Sequence, residues 1–161
     1  MKPKILVTRK MTDEAENKLA EIFDATFNKE DKPIPYEELI NLANKYDGLI
    51  VSGWDKFDEN FFNQMNGRLK IIATFSVGYD HINIKSAEQK KIIITNTPNV
   101  LNDAVAEITI LLMLATCRKA YEGFNLVKLG KWKDTKIDFV NFVMGQSMTG
   151  KTLGIIGMGR I

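Results

Sequence analysis

Two stretches of this chain could hold an anion on backbone N–H groups. The first is "LGIIGMGRI", residues 153–161, where an apolar run leads straight into Gly157 and Gly159. A strand followed by G-x-G-x-x-G and a helix holds a pyrophosphate, because the tight turn and the helix N-terminus both present free N–H groups. Gly157 and Gly159 supply the first two glycines, and Arg160 and Ile161 follow. A pair of glycines alone also suits an ordinary tight turn, but the strand in front favours the phosphate-binding reading. The third glycine and the acidic ribose partner, about 20 residues further on, fall past residue 161. The sequence therefore reads as the front part of a longer protein.

The second stretch is "FSVGYDHIN", residues 75–83, at the carboxyl end of a predicted strand. Ligands of open α/β sheets bind at such ends. Ser76, Val77 and Gly78 offer N–H groups, and Ser76 adds a hydroxyl, a donor set that suits a carboxylate. A strand-to-helix turn that needs Gly78 only for its backbone fits equally well. His81 is the single histidine, and a lone loop histidine reads as a structural side chain rather than a general acid or base. Cys117 is the single cysteine and reads as buried packing. Trp54 and Trp132 read as packing residues, and Lys90 and Lys91 as a solvated helix end. No cluster of His and Cys suggests a metal.

These stretches need elements to position them. Strand-like runs at 4–8, 24–28, 47–53, 69–80 (ending in the glycine loop) and 92–98 alternate with helical patterns, the signature of a doubly wound α/β domain with a parallel sheet. The strands are continuously apolar, which predicts burial on both sheet faces. Thr12 and Asp58 are expected N-caps. Ala15, Leu19, Ile22 and Phe23 should face inward from the first helix, Leu39, Ile40 and Ala43 from the second, and Phe61, Phe62 and Met65 from the third. Beyond Pro98 the pattern predicts one long helix over 102–121, capped by Asn102. It is apolar nearly all round from 108 to 117 and so expected to be buried. A strand over 153–157 closes the chain, and the domain boundary falls near 97–101.

The net charge is +2, with both signs interspersed, which excludes a basic nucleic-acid surface. The longest apolar stretch is too short to span a bilayer, and the N-terminus carries no signal peptide, so a cytoplasmic protein is expected.

Four segments, "SVGYDHIN", "ITNTPNVLNDAVAEITILLMLATCR", "GKW" and "GKTLGIIGMGRI", resemble in order and spacing the D-isomer-specific 2-hydroxyacid dehydrogenases, a group that includes glyoxylate/hydroxypyruvate reductases. The resemblance implies a flavodoxin-like substrate domain at 1–98. Residues 99–161 would then be a linking helix and the first strand and glycine turn of a Rossmann domain that binds NAD or NADP. It implies a substrate carboxylate held by Ser76, Val77 and Gly78. It also implies a nicotinamide faced by residues 100–105, Val105 among them, and a pyrophosphate along Gly157, Gly159, Arg160 and Ile161. Homodimers using the long helix are usual in the family. Asn99 stands where the family commonly has Gly, and Asn102 and Val105 where it often has a small hydroxyl residue. The family's catalytic Arg and its His–acid pair have no matching motif here, and His81 is not that histidine. The expected function is thus the N-terminal portion of an oxidoreductase interconverting a small 2-keto acid and a D-2-hydroxy acid, inactive alone. The competing expectation is a non-catalytic module binding a carboxylate or a protein. A phosphoacceptor domain is excluded, because Thr8, Arg9 and Lys10 follow the first strand where acids are needed.

Overall fold

The computed structural model describes residues 1–133 and 144–160. They divide into two compact units, Met1–Pro98 and Asn99–Ile161. In the first unit five strands, β1 (Lys4–Val7), β2 (Asp24–Phe27), β3 (Gly48–Val51), β4 (Ile71–Thr74) and β5 (Ile93–Thr95), form one parallel sheet in the order β2-β1-β3-β4-β5. This is the flavodoxin-like order, in which the chain reverses direction across the sheet between β1 and β3. Helices α1 (Asp13–Ile22), α2 (Tyr36–Ala43), α3 (Glu59–Asn63) and α4 (Ile84–Gln89) connect the strands.

Local chemistry sets the helix starts. The Thr12 side chain accepts from the Ala15 N–H at 3.4 Å, Asp58 from Phe61 at 3.0 Å and Asn83 from Ser86 at 3.0 Å. Leu6, Leu49 and Ile72 stand in register on one face, with Val51 beside them. They are buried against Leu39, Ile40 and Ala43 of α2, Phe61 and Phe62 of α3, and Ala87 of α4. Phe57, Phe61 and Phe62 stack edge to face, with centroids 4.8 and 5.3 Å apart.

Burial on both faces was expected; on the second face Ile5, Val7 and Gly48 are buried, and the departure is confined to its β4–β5 side. Ile5, Gly48, Ile71 and Ile93 line that face in register, yet Ile93 is 62% exposed. Helix α1 has no buried residue, and Ile22, expected inward, lies in solvent. Apolarity along a strand reports that both faces suit burial, not that the cover reaches the edge strand β5.

The second unit departs from several expectations. The long helix is two: α5 (Asn102–Cys117) and α6 (Ala120–Lys128), separated at Lys119, whose φ is +51°. The N-cap of α5 is Leu101, not Asn102, and no side chain caps it. No residue of α5 is buried, and Ile110, Leu111 and Leu112 are all exposed. The strand expected at 153–157 does not form, since a parallel strand needs a ladder partner and none exists in this unit among the described residues. Cys117 ends α5 half-buried rather than buried, Trp132 is half-exposed, and in the first unit Trp54 is exposed.

After 143 the chain returns across the α5–α6 junction, where the Gln146 N–H donates to the Cys117 carbonyl at 2.7 Å. The approach is so close that a Cβ on Gly145 would lie 2.4 Å from that same oxygen. No helix of the described residues is long and apolar enough to cross a membrane.

Candidate functional site

The loop 75–83 leaves β4 at the carboxyl edge of the sheet. Three consecutive carbonyls of this loop are held by donors from the protein. Ser76 O accepts from the Thr97 N–H at 3.1 Å, Val77 O from Asn96 Nδ2 at 2.8 Å, and Gly78 O from the Ser76 hydroxyl at 2.7 Å. In a trans peptide the carbonyl and the following N–H point in opposite directions. Pinning those three oxygens therefore turns the N–H groups of Val77, Gly78 and Tyr79 away from them. None of the three donates to any partner among the described residues. Gly78 and Tyr79 are exposed, Ser76 and Val77 half-buried, and a Cβ on Gly78 would meet nothing within 4 Å. The result is an open row of oriented donors, the backbone form of an anion site.

The far side of the loop is also fastened. Phe57 N–H donates to His81 O at 2.9 Å, and Asn83 N–H to Phe57 O at 2.8 Å. His81 is half-buried, with Nε2 3.2 Å from Thr74 Oγ1. Burial pushes its pKa below the ordinary imidazole value, while Asp55 and Asp80 pull the other way. Hollows of about 320 and 330 Å³ flank the loop, one behind Tyr79 and Asn96, the other between His81 and Lys56.

At the point where the strand order reverses, a buried carboxylate ties two strand ends together. Asp55 Oδ2 accepts from Thr8 Oγ1 at 2.6 Å, from Ser52 N–H at 3.0 Å and from Ser52 Oγ at 3.3 Å. Gly53 then lies beside the loop, its Cβ position 3.9 Å from Ser76 Cβ.

The sequence reading singled out Ser76, Val77 and Gly78, and the structure brings their backbones together as one donor row. It differs in two respects. The Ser76 hydroxyl points back to Gly78 O instead of joining the row, and Tyr79 extends the row. Asn96, Thr74 and Asp55 were missed. Asn96 and Asp55 act on a neighbouring strand end, so only the sheet order reveals them, although Asn96 directly follows β5 at the sheet edge where ligands bind; Thr74 acts on Ser76 and His81 of the loop after its own strand.

The residues expected at a dinucleotide lie in the second unit. Gly157 adopts φ +84°, and neither Gly157 nor Gly159 has an atom within 4 Å of its Cβ position, so a bulky anion could approach this backbone. Arg160 Nη1 donates to Asn99 Oδ1 at 3.0 Å, and Asn99 itself has φ +69°. Asn tolerates this left-handed conformation better than most residues, which explains how it fills a position commonly held by Gly. Val105 is half-buried in the first turn of α5. Ile161 lies outside the described residues. Among the described residues no three His, Cys, Asp or Glu side chains gather to hold a metal.

A parallel sheet in the flavodoxin-like order, with a row of backbone donors on the loop after β4 that are unpartnered among the described residues, is an α/β architecture that presents its loops at the carboxyl edge of the sheet, where such folds bind ligands. Residues 5–157 match the model of the D-isomer specific 2-hydroxyacid dehydrogenase catalytic domain, and the chain belongs to that family. It is 36% identical to a glyoxylate reductase of Pyrococcus furiosus over all of its own length and 48% of that protein's. A glyoxylate reductase of Aeropyrum pernix is 37% identical, with 99% of this chain and 48% of that protein aligned. Among solved structures, an NADPH-dependent glyoxylate/hydroxypyruvate reductase of Sinorhizobium meliloti, in complex with NADP and malonate, superposes with TM-score 0.78 at 28% identity. That match covers 99% of this chain and 47% of the other. The chain thus spans about half the length of the curated relatives it matches.

Proposed function

We propose that this chain supplies the substrate-carboxylate site and part of the cofactor site of an NAD(P)-dependent oxidoreductase interconverting a small 2-keto acid and the D-2-hydroxy acid. The observation that carries the reading is the row of N–H groups at Val77, Gly78 and Tyr79, left without partners among the described residues while their carbonyls are pinned. A carboxylate accepts several N–H donors at once, and charge-assisted bonds are stronger than neutral ones. In this reading residues 1–98 are the substrate domain, and 99–161 open the cofactor domain. Gly157, Gly159, Arg160 and Ile161 would lie along the pyrophosphate, and Val105 near the nicotinamide. The bound nicotinamide supplies or accepts the hydride. The loop's task is to hold the carboxylate still so that the keto carbon is presented in one orientation, which is the entropic part of the catalysis.

No residue of the chain is assigned to protonate the alkoxide. The 161 residues alone are therefore expected to show no glyoxylate-dependent oxidation of NADH or NADPH, and turnover by them would overturn this assignment. The partner expected besides the small acid is a second copy of the chain, through the α5 region.

The test of the site is an amide-resolved NMR titration with glyoxylate against a chloride control. The amides of residues 77–79 should move together and saturate. Shifts confined to the rest of the chain would remove the carboxylate from this loop.

A further inference from the structure

The hydrogen bonds under the loop have a fixed direction, and that direction can be counted out. Gly78 O is a carbonyl and can only accept, so the single hydroxyl hydrogen of Ser76 is spent on it, at 2.7 Å. Ser76 Oγ therefore accepts from Thr74 Oγ1, also at 2.7 Å. That spends the single hydrogen of Thr74. Thr74 Oγ1 must then accept across the 3.2 Å contact to His81 Nε2, so the imidazole carries its hydrogen on Nε2. The chain runs one way, from His81 Nε2–H to Thr74, to Ser76, to the Gly78 carbonyl. Thr74 is 2% exposed, so water does not compete for this link.

We infer that His81 is a positioning residue, whose Nε2–H acts through Thr74 and Ser76 to lock the Gly78–Tyr79 peptide so that the Tyr79 N–H faces the substrate carboxylate. This rests on the carboxylate reading of the loop given above. The other two peptides of the row are held from β5, by Thr97 and Asn96, and do not depend on His81. The imidazole thus governs one donor of three. Protonation at Nδ1 leaves Nε2–H in place and makes it a stronger donor, so the link persists on both sides of the titration. The charges that face the ring are Asp80 on its own loop and Asp55 from the loop after β3. Lys56 and Asp58 line the same hollow.

The experiment is NMR on the whole chain with isotope-labelled histidine, unambiguous because there is a single histidine. The wild type should show the Nε2–H tautomer, and the Tyr79 amide should titrate together with the ring. In Thr74→Val the Tyr79 amide should stop following the ring, the Val77 amide should keep its position, and glyoxylate should bind about five-fold more weakly, the effect of one lost hydrogen bond. Thr74→Ser, which keeps the hydroxyl, should restore both. His81→Gln retains an N–H donor and should bind glyoxylate better than His81→Leu. An Nδ1–H tautomer, or a Tyr79 amide that still titrates with the ring in Thr74→Val, overturns the inference. If the relay signals are present but glyoxylate leaves residues 77–79 unmoved, the carboxylate reading falls, and the substrate role given to His81 falls with it.

Discussion

Single residues in this fold act mainly by holding backbone. Asp55 shows it most directly: its carboxylate faces three donors and is nearly closed to solvent. Asp55→Ala would strand Thr8 and Ser52 without their acceptor, and is expected to cost about 1–3 kcal/mol of stability, read by urea denaturation. Asp31 offers a pH test. The Arg9 guanidinium at 2.8 Å and the Lys10 N–H hold its pKa down at about 2. A lowered carboxylate contributes stability above its ordinary value, and that contribution is lost as pH falls through the folded value. In Arg9→Gln the Asp31 pKa should rise, yet stay below ordinary because Lys10 N–H remains, as carboxyl NMR would show. For His81 the folded pKa is also lowered. Its contribution is complete above the ordinary imidazole value, about 6.5, and is lost as pH falls through the lowered one. Stability should therefore drop in mildly acid solution by more in the wild type than in His81→Gln.

Among the elements, α3 and the loop before it carry the aromatic part of the core. Phe61 is fully buried between Phe57 and Phe62. Phe61→Ala is expected to lose about 3–5 kcal/mol by calorimetry or denaturant melting. Phe57 also braces the site loop through its bonds to His81 and Asn83, so the cavity should loosen the 79–83 segment as well. The elements also show what a sequence can disclose. Strands β1 to β5, caps at Thr12 and Asp58, and the apolar faces of α2 and α3 were legible because each depends on a few neighbouring residues. The break between α5 and α6 was not, since Arg118 and Lys119 carry no helix-breaking signature and the turn is made by a Lys at positive φ. The donor row was half legible. Ser76, Val77 and Gly78 announced it, but the groups that orient them come from β5 and from the end of β4, which meet only in the folded sheet.

For the whole molecule, α5 stands out as a helix with exposed apolar residues on all its sides. Ile108, Ile110, Leu111, Leu112 and Leu114 are each about half exposed. Exposed apolar surface of this kind favours association. Sedimentation should find the chain self-associated, and Leu111→Glu with Leu112→Glu should shift it toward monomer while leaving the amides of the first unit in place. A monomeric wild type would count against the homodimer proposed above.

The sheet order has a consequence in time. Every strand pairing is parallel, so none can close through a short turn; the nearest partners, Lys4 and Asp24, already stand about twenty residues apart. Pairings of that kind are slow to find, because chain entropy is lost before contacts repay it. Strand β5 lies at the edge and can pair only with β4, and Asn96 and Thr97 follow directly behind it. The donors that pin the 76–78 carbonyls are therefore in place only once β5 has docked on β4, where Ile71 pairs with Ile93. In a refolding experiment the capacity of this loop to bind a carboxylate should appear no earlier than the phase in which β5 pairs with β4.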